Sequence, residues 1–275
     1  MIEPFLLRAL LASLMVGILL GLLSPLINFK GLAFLTHATF HALLFGTILG
    51  MIVLLLTGWS YSITLVSLFV TIVVVMGIAG LERKGFMPDS AVGIMASFVA
   101  GLTILGFGVL YSLMASKPYY PLSENIISYL TGEIFLVTLG DLTFLVVAGI
   151  VVVFIMLVFY RDFLYTSFDP EGIESLGGNV RFYLSLMYFL VGFVSALVVK
   201  SVGLITLQVI AVLPGAISAR MSRDLREIVG LSLVLTILTM ILSLLIAYPT
   251  GIPPSGIATL FLGAIYIATA RRGVS

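Results

Sequence analysis

The sequence predicts an all-α polytopic membrane protein of about nine transmembrane helices, eight to nine in all, forming one domain over residues 1–275. Its N-terminus is expected outside and its C-terminus in the cytoplasm. Three observations predict this. The chain is 61% hydrophobic and 9% charged, with a mean hydropathy of +1.28, whereas a soluble domain carries about 25% charged residues. Apolar runs recur from end to end, each near the roughly 20 residues that a lipid core requires. The basic residues fall on alternate connections, as the positive-inside rule demands.

The first run, Phe5–Phe29, follows Glu3 rather than a basic cluster, is long, and is succeeded at once by further runs. It therefore reads as a retained span and not as a cleaved signal. Leu32–Leu56 is second and holds the only two histidines, His37 and His41. Ile63–Leu81, Ala91–Met114, Leu142–Tyr160 and Phe182–Val199 follow. Val202–Ala219 is interrupted by Gln208 and Pro214, so two half-helices or a helix with an unwound section are expected there. Ile228–Ala247 and Gly256–Ala270 complete the set. Two connections are longer than a turn. The external one carries an apolar stretch, Ile126–Val137, too short to span and suited to a re-entrant or interfacial helix. The internal one contains Phe168-Asp169-Pro170-Glu171, read as a helix start: Asp169 the N-cap, Pro170 the first helical residue, Glu171 in the first turn, and Gly177-Gly178 the stop.

If the first span runs from outside to inside, one side of the membrane holds Lys30, Arg83, Lys84, Arg161, Arg181, Arg220, Arg223, Arg226, Arg271 and Arg272. The other holds Arg8, Lys117 and Lys200. Ten against three assigns the first group to the cytoplasm.

Within the second span, His37 and His41 lie four residues apart, which on a helix places both imidazoles on one face about a turn apart. Ala38, Ala42, Gly46 and Gly50 recur every fourth residue on an adjacent ridge, offset by about 100°. A ridge of small residues lets a neighbouring helix approach closely in a membrane. Ionisable groups inside a membrane are costly and mark ion or substrate routes. With no cysteine in the chain, metal ligands are limited to His, carboxylates, amides and carbonyls. Two imidazoles leave a first shell incomplete; Gln208, the carbonyls freed near Pro214, and Glu133 and Asp141 at the outer side are further candidates. An incomplete shell suits a transit point that must release its ion. The run His37-Ala38-Thr39-Phe40-His41 lacks the acid of an H-E-x-x-H site, which excludes zinc-peptidase chemistry. No GxxxxGK[ST] loop occurs, so the chain does not hydrolyse ATP itself, and a net charge of +1 suggests no nucleic-acid partner.

Five segments, in order, carry a resemblance that covers nearly the whole chain. These are His41-Ala42; the basic ERKGFMPDSAVGI with Asp89, Ala91, Gly93 and Ile94; FDPEGIESLG at 168–177; VGLITLQVIAVLPGAISAR; and PPSGIATLF. Together they resemble the membrane permease subunits of ATP-binding-cassette importers of zinc, manganese and iron. The resemblance implies a multi-pass plasma-membrane permease with no permanently bound cofactor. It also implies transported zinc or manganese, a permease homodimer in lipid, a cytoplasmic ATP-binding subunit and an extracellular metal-binding protein. The coupling contact to the ATPase falls on Phe168, Asp169, Pro170, Glu171 and Glu174. The family usually has Asp at the place of His37, and Ser and Pro at those of Phe40 and Phe45. Here the transit site is therefore expected to hold two histidines, a softer pair that favours zinc over manganese. The rival reading is a stand-alone secondary carrier driven by an ion gradient. It requires acidic or His relays in several helices, and these spans contain almost no acids.

Overall fold

In the computed structural model, residues 3–59, 61–116, 132 and 134–271 are described, and every regular element among them is helical. The long helices are α1 (Pro4–Phe29), α2 (Ala33–Thr57), α3 (Ser62–Arg83), α4 (Pro88–Ser116) and α5 (Leu139–Phe168). After the short α6 (Pro170–Ser175) come α7 (Val180–Val202), α8 (Leu204–Met221), α9 (Leu225–Thr250) and α10 (Pro254–Arg271). Among the described residues, α1–α5 and α7–α9 are the eight helices long and apolar enough to cross a membrane, and α10 is a shorter apolar helix. Each of the nine expected runs thus has a helix of its own. The stretch Ile126–Val137 lies outside the described residues as far as 131; beyond it, Ile134–Leu136 form a single 3-10 turn.

α1 is the axis of the bundle. It is buried along one continuous length, Leu19 to Ile27 without interruption, and packs against α5, α7, α8 and α9. Small residues let it do so: a methyl group added at Gly17 or Gly21 would lie 2.9 Å from the Cα of Ile237 or Leu233 on α9. α2 packs against α3, α4, α7 and α8. Its small ridge is buried throughout, from Ala38 and Ala42 to Gly46 and Gly50. At Gly46 and Gly50 an added Cβ would lie 2.5 Å from the Cα of Ser67 and of Ile63, so α2 and α3 touch backbone to backbone. The ridge is turned inward, while the histidine stripe, about 100° round the helix, faces the open side of this chain.

α8 departs from expectation. It is one continuous helix with Pro214 inside it, neither broken nor unwound. The compensation comes from α1. Asn28 Nδ2 donates to the Val212 carbonyl at 2.9 Å, Ser24 Oγ donates to the same oxygen at 3.2 Å, and the Gly215 N–H donates to Ser24 Oγ at 2.8 Å. Pro214 has no N–H for the Ile210 carbonyl, four residues back. The α1 side chains act on the next rungs, at the Gly215 N–H and the Val212 carbonyl, as neighbouring helices do where a membrane helix carries a proline.

Two contacts fix the ends of α5. Phe168 meets Phe29 at the end of α1, ring centroids 5.3 Å apart. At the other end Thr138 and Asp141 form a reciprocal capping box, and the Asp141 carboxylate accepts from Lys200 Nζ of α7 at 2.8 Å.

Candidate metal-transit site

His37 and His41 meet on α2 as the four-residue spacing predicts: their Nε2 atoms are 3.4 Å apart and their rings stand perpendicular, at 89° with centroids separated by 4.9 Å. Phe40 lies beside them, its ring parallel to that of His37 and edge-on to His41. His37 is exposed and His41 half-buried, in a face that this chain leaves open. Behind His37 a groove of about 480 Å³ runs between α2 and α8, lined by Ala33, Phe34, Thr36, Gln208, Val209, Val212 and Leu213. Its polar groups are few. Thr36 Oγ1 turns back to the Ala33 carbonyl at 2.6 Å, while Gln208 Nε2 stands 3.5 Å from His37 Nδ1.

Two neutral imidazoles with converging nitrogens are a metal-competent pair. In a tetrahedral site with Zn–N bonds of about 2.05 Å, two ligand nitrogens stand about 3.3–3.4 Å apart; a right-angled octahedral edge at that bond length is about 2.9 Å. At 3.4 Å the two nitrogens are close enough to share one ion. No third His, Cys, Asp or Glu joins the pair among the described residues.

The other expected ligands are distributed as follows. Gln208 reaches the pair, at the nitrogen of His37 that faces away from His41. The Val212 carbonyl near Pro214 is taken up by Ser24 and Asn28. Asp141 caps α5 and pairs with Lys200 between α5 and α7, apart from the histidines, because an acid at a helix N-terminus next to a cation is already satisfied. Glu133 lies outside the described residues.

The segment from Phe168 to Gly177 forms as its signals predict. The Asp169 carboxylate accepts from the Gly172 N–H at 2.9 Å, Pro170 opens α6, and Glu171 is in its first turn. The close is a Schellman turn: Gly178 N–H to Ile173 O at 2.9 Å and Gly177 N–H to Glu174 O at 3.0 Å, with Gly177 at φ +80°. This six-residue helix is tied at both ends, and the residues flanking it, Phe168 at the end of α5 and Leu176 at the C-cap, are exposed, the latter 89%. Grooves of about 1100 and 670 Å³ lie beside it, lined by Arg161, Tyr165 and Asp169 in common.

A model of the ABC 3 transport family matches residues 2–272. The chain belongs to that family. Among relatives, the manganese transport system membrane protein MntC of Listeria innocua is 24% identical over 277 residues, covering 98% of this chain and 92% of its own. The manganese import system permease protein ScaB of Streptococcus parasanguinis is 28% identical over 279 residues, with 98% and 92% covered. The high-affinity zinc uptake system membrane protein ZnuB of Haemophilus influenzae is 23% identical over 250 residues, with 90% of each chain covered. The fold is that of a solved structure, PsaBC from Streptococcus pneumoniae in complex with Fab, at a TM-score of 0.80 and 23% identity over 98% of this chain and 91% of that one.

Sequence reading missed Ser24 and Asn28, whose role depends on a proline some 190 positions away. It also missed the buried Tyr188, whose hydroxyl donates to Glu82 at the end of α3. A polar residue in an apolar span was the available signal for Asn28, as it was for Gln208.

Proposed function

We propose that this chain is the permease subunit of a primary-active importer of a divalent transition metal, zinc ahead of manganese, energised by a separate cytoplasmic ATPase. The observation that carries the reading is the histidine pair: two imidazole nitrogens 3.4 Å apart, on the open face of a membrane helix. An imidazole exposed toward lipid is costly, so this face is covered by a second copy of the chain, and the pair lines a path between the two. Zinc accepts a tetrahedral imidazole site readily, whereas manganese prefers harder oxygen ligands and six-coordination. The relatives named for manganese and for zinc uptake support the substrate class.

Coupling is assigned to Phe168, Asp169, Pro170, Glu171 and Glu174, on the tied α6 and its entry. An extracellular metal-binding protein delivers the ion at the opposite side. The contact of Phe29 with Phe168 and that of Lys200 with Asp141 agree with the charge alternation, which puts the N-terminus outside and the C-terminus inside. A secondary carrier finds no support, since among the described residues the acids on the spans stand toward helix ends, Asp141 with Lys200 and Glu82 with Tyr188, and none stands beside the histidine pair.

The test is uptake by proteoliposomes holding the permease and its ATPase. His41→Ala is expected to abolish zinc uptake with expression and assembly unchanged; uptake at the wild-type rate would overturn the assignment. His37→Asp is expected to retain transport and move preference toward manganese.

A further inference from the structure

Gln208 is where α8 touches the histidine pair, and we propose that its side-chain amide is a positioning group that selects which nitrogen of His37 carries the proton, and so whether the pair is open to an ion. This rests on the pair being the transit site. Gln208 Nε2 faces His37 Nδ1 at 3.5 Å, and His37 Nε2 faces His41 Nε2 at 3.4 Å. With the amide N–H toward Nδ1, the ring proton falls on Nε2 and is donated to His41 Nε2. In that state the three groups form a relay, Gln208 to His37 to His41, with a proton between the two Nε2 atoms.

An ion bound by both Nε2 atoms requires that place. The proton of His37 must leave Nε2 and another must be carried on Nδ1; both exchange with water and the ring stays neutral. Nδ1–H then needs an acceptor. A half-turn of the Gln208 amide about its Cγ–Cδ bond brings Oε1 to the position of Nε2, converting donor into acceptor with no movement of α8. The groove beside it has the volume, about 480 Å³, and its other lining side chains are apolar apart from Thr36, which is hydrogen-bonded to its own helix. Groups that hold the far nitrogen of a ligating imidazole fix its tautomer and raise its basicity, and their loss typically costs 10–100-fold in metal affinity. Gln is suited to this role because it offers either polarity. A carboxylate would hold the site permanently open, and an aliphatic side chain would hold neither state.

The chain has two histidines, so a histidine-¹⁵N-labelled full-length protein in lipid nanodiscs displays four ring nitrogens, assigned with His37→Ala. Without metal, His37 is expected to be protonated at Nε2 and His41 at Nδ1. With zinc, both are expected to be protonated at Nδ1. Gln208→Glu should show the Nδ1-protonated His37 before zinc is added, and should bind zinc more tightly. Gln208→Leu should bind zinc 10–100-fold more weakly in a competition titration. Zinc affinity within about twofold of wild type in Gln208→Leu would overturn the proposal; so would an unchanged His37 tautomer in Gln208→Glu, which decides the matter alone if the Leu variant does not fold. If zinc binding is lost in His37→Ala but indifferent to position 208, only the positioning role fails. If it survives in His37→Ala, the transit-site reading fails as well.

Discussion

The backbone-to-backbone approach of α2 and α3 can be tested directly. Replacing Gly46 with Ala places a Cβ 2.5 Å from Ser67 Cα, with the Ser67 carbonyl oxygen at 3.2 Å. Carbon atoms in contact sit about 3.5–4.0 Å apart, so α2 and α3 must separate by about 1 Å. The obstacle is helical backbone, which cannot swing aside. Overpacking of this kind costs about 1–3 kcal/mol. Gly50→Ala meets Ile63 Cα at the same 2.5 Å, and the shift also disturbs the bond from Ser62 Oγ to the Gly50 carbonyl. Because one separation of the helices relieves both clashes, the double variant should lose less than the sum of the two. Gly101 on α4 and Gly230 on α9 are controls, since an added Cβ at either meets nothing within 4 Å. Their Ala variants should be unchanged or up to about 1 kcal/mol more stable. Trp59, the single tryptophan, stands two residues beyond α2 and reports its unfolding. An SDS titration in mixed micelles, followed by its fluorescence, provides the measurement. A Gly46→Ala protein as stable as wild type would refute the backbone contact.

Three further outcomes follow from other contacts. Cysteines at Glu171 or Glu174 should crosslink to the ATPase subunit, and the background is clean because the chain has no native cysteine; crosslinks arising only from Arg220–Arg226 would move the coupling site. Asn28→Leu removes a donor from the Val212 carbonyl and should cost about 1–3 kcal/mol in the same SDS titration, with strong non-additivity toward Ser24→Ala because the two share that oxygen. Asp141→Asn weakens both the α5 cap and the pair with Lys200. It should lower stability by about 1 kcal/mol while leaving the zinc affinity of the histidine pair intact; a loss of affinity would place Asp141 in the transit site.

What the sequence made legible was whatever a helix encodes within a few turns. Apolar run length gave every span, the spacing of His37 and His41 gave their meeting, and the order Asp169-Pro170-Glu171 with Gly177 gave α6 with both its caps. The four-residue ridge gave a buried face, although not the identity of α3 as its partner. What escaped depended on pairs far apart in the chain. Pro214 reads locally as a break, whereas α8 is continuous and the side chains of Ser24 and Asn28 on α1 bond its backbone beside the proline. Asp141 reads as a hydrated acid or a ligand until Lys200, 59 positions later, claims it. Gln208 could be singled out by its polarity but not given a nitrogen to face, since that depends on how α8 lies against α2.

The proline in α8 has a mechanical consequence. An ordinary helix owns its stiffness, because each rung is closed by its own backbone. At Pro214 one rung is missing, and the neighbouring rungs are braced by two side chains of α1. The rigidity of α8 there is borrowed. It lasts as long as α1 keeps its register, and a slide of α1 by even part of a turn withdraws it. The bend thus released lies between Gln208, against the histidines, and Arg220, at the other end of α8 near Tyr266 of α10. Any loss of that register would leave the two ends of α8 less stiffly joined, so α1 acts on α8 as a brake.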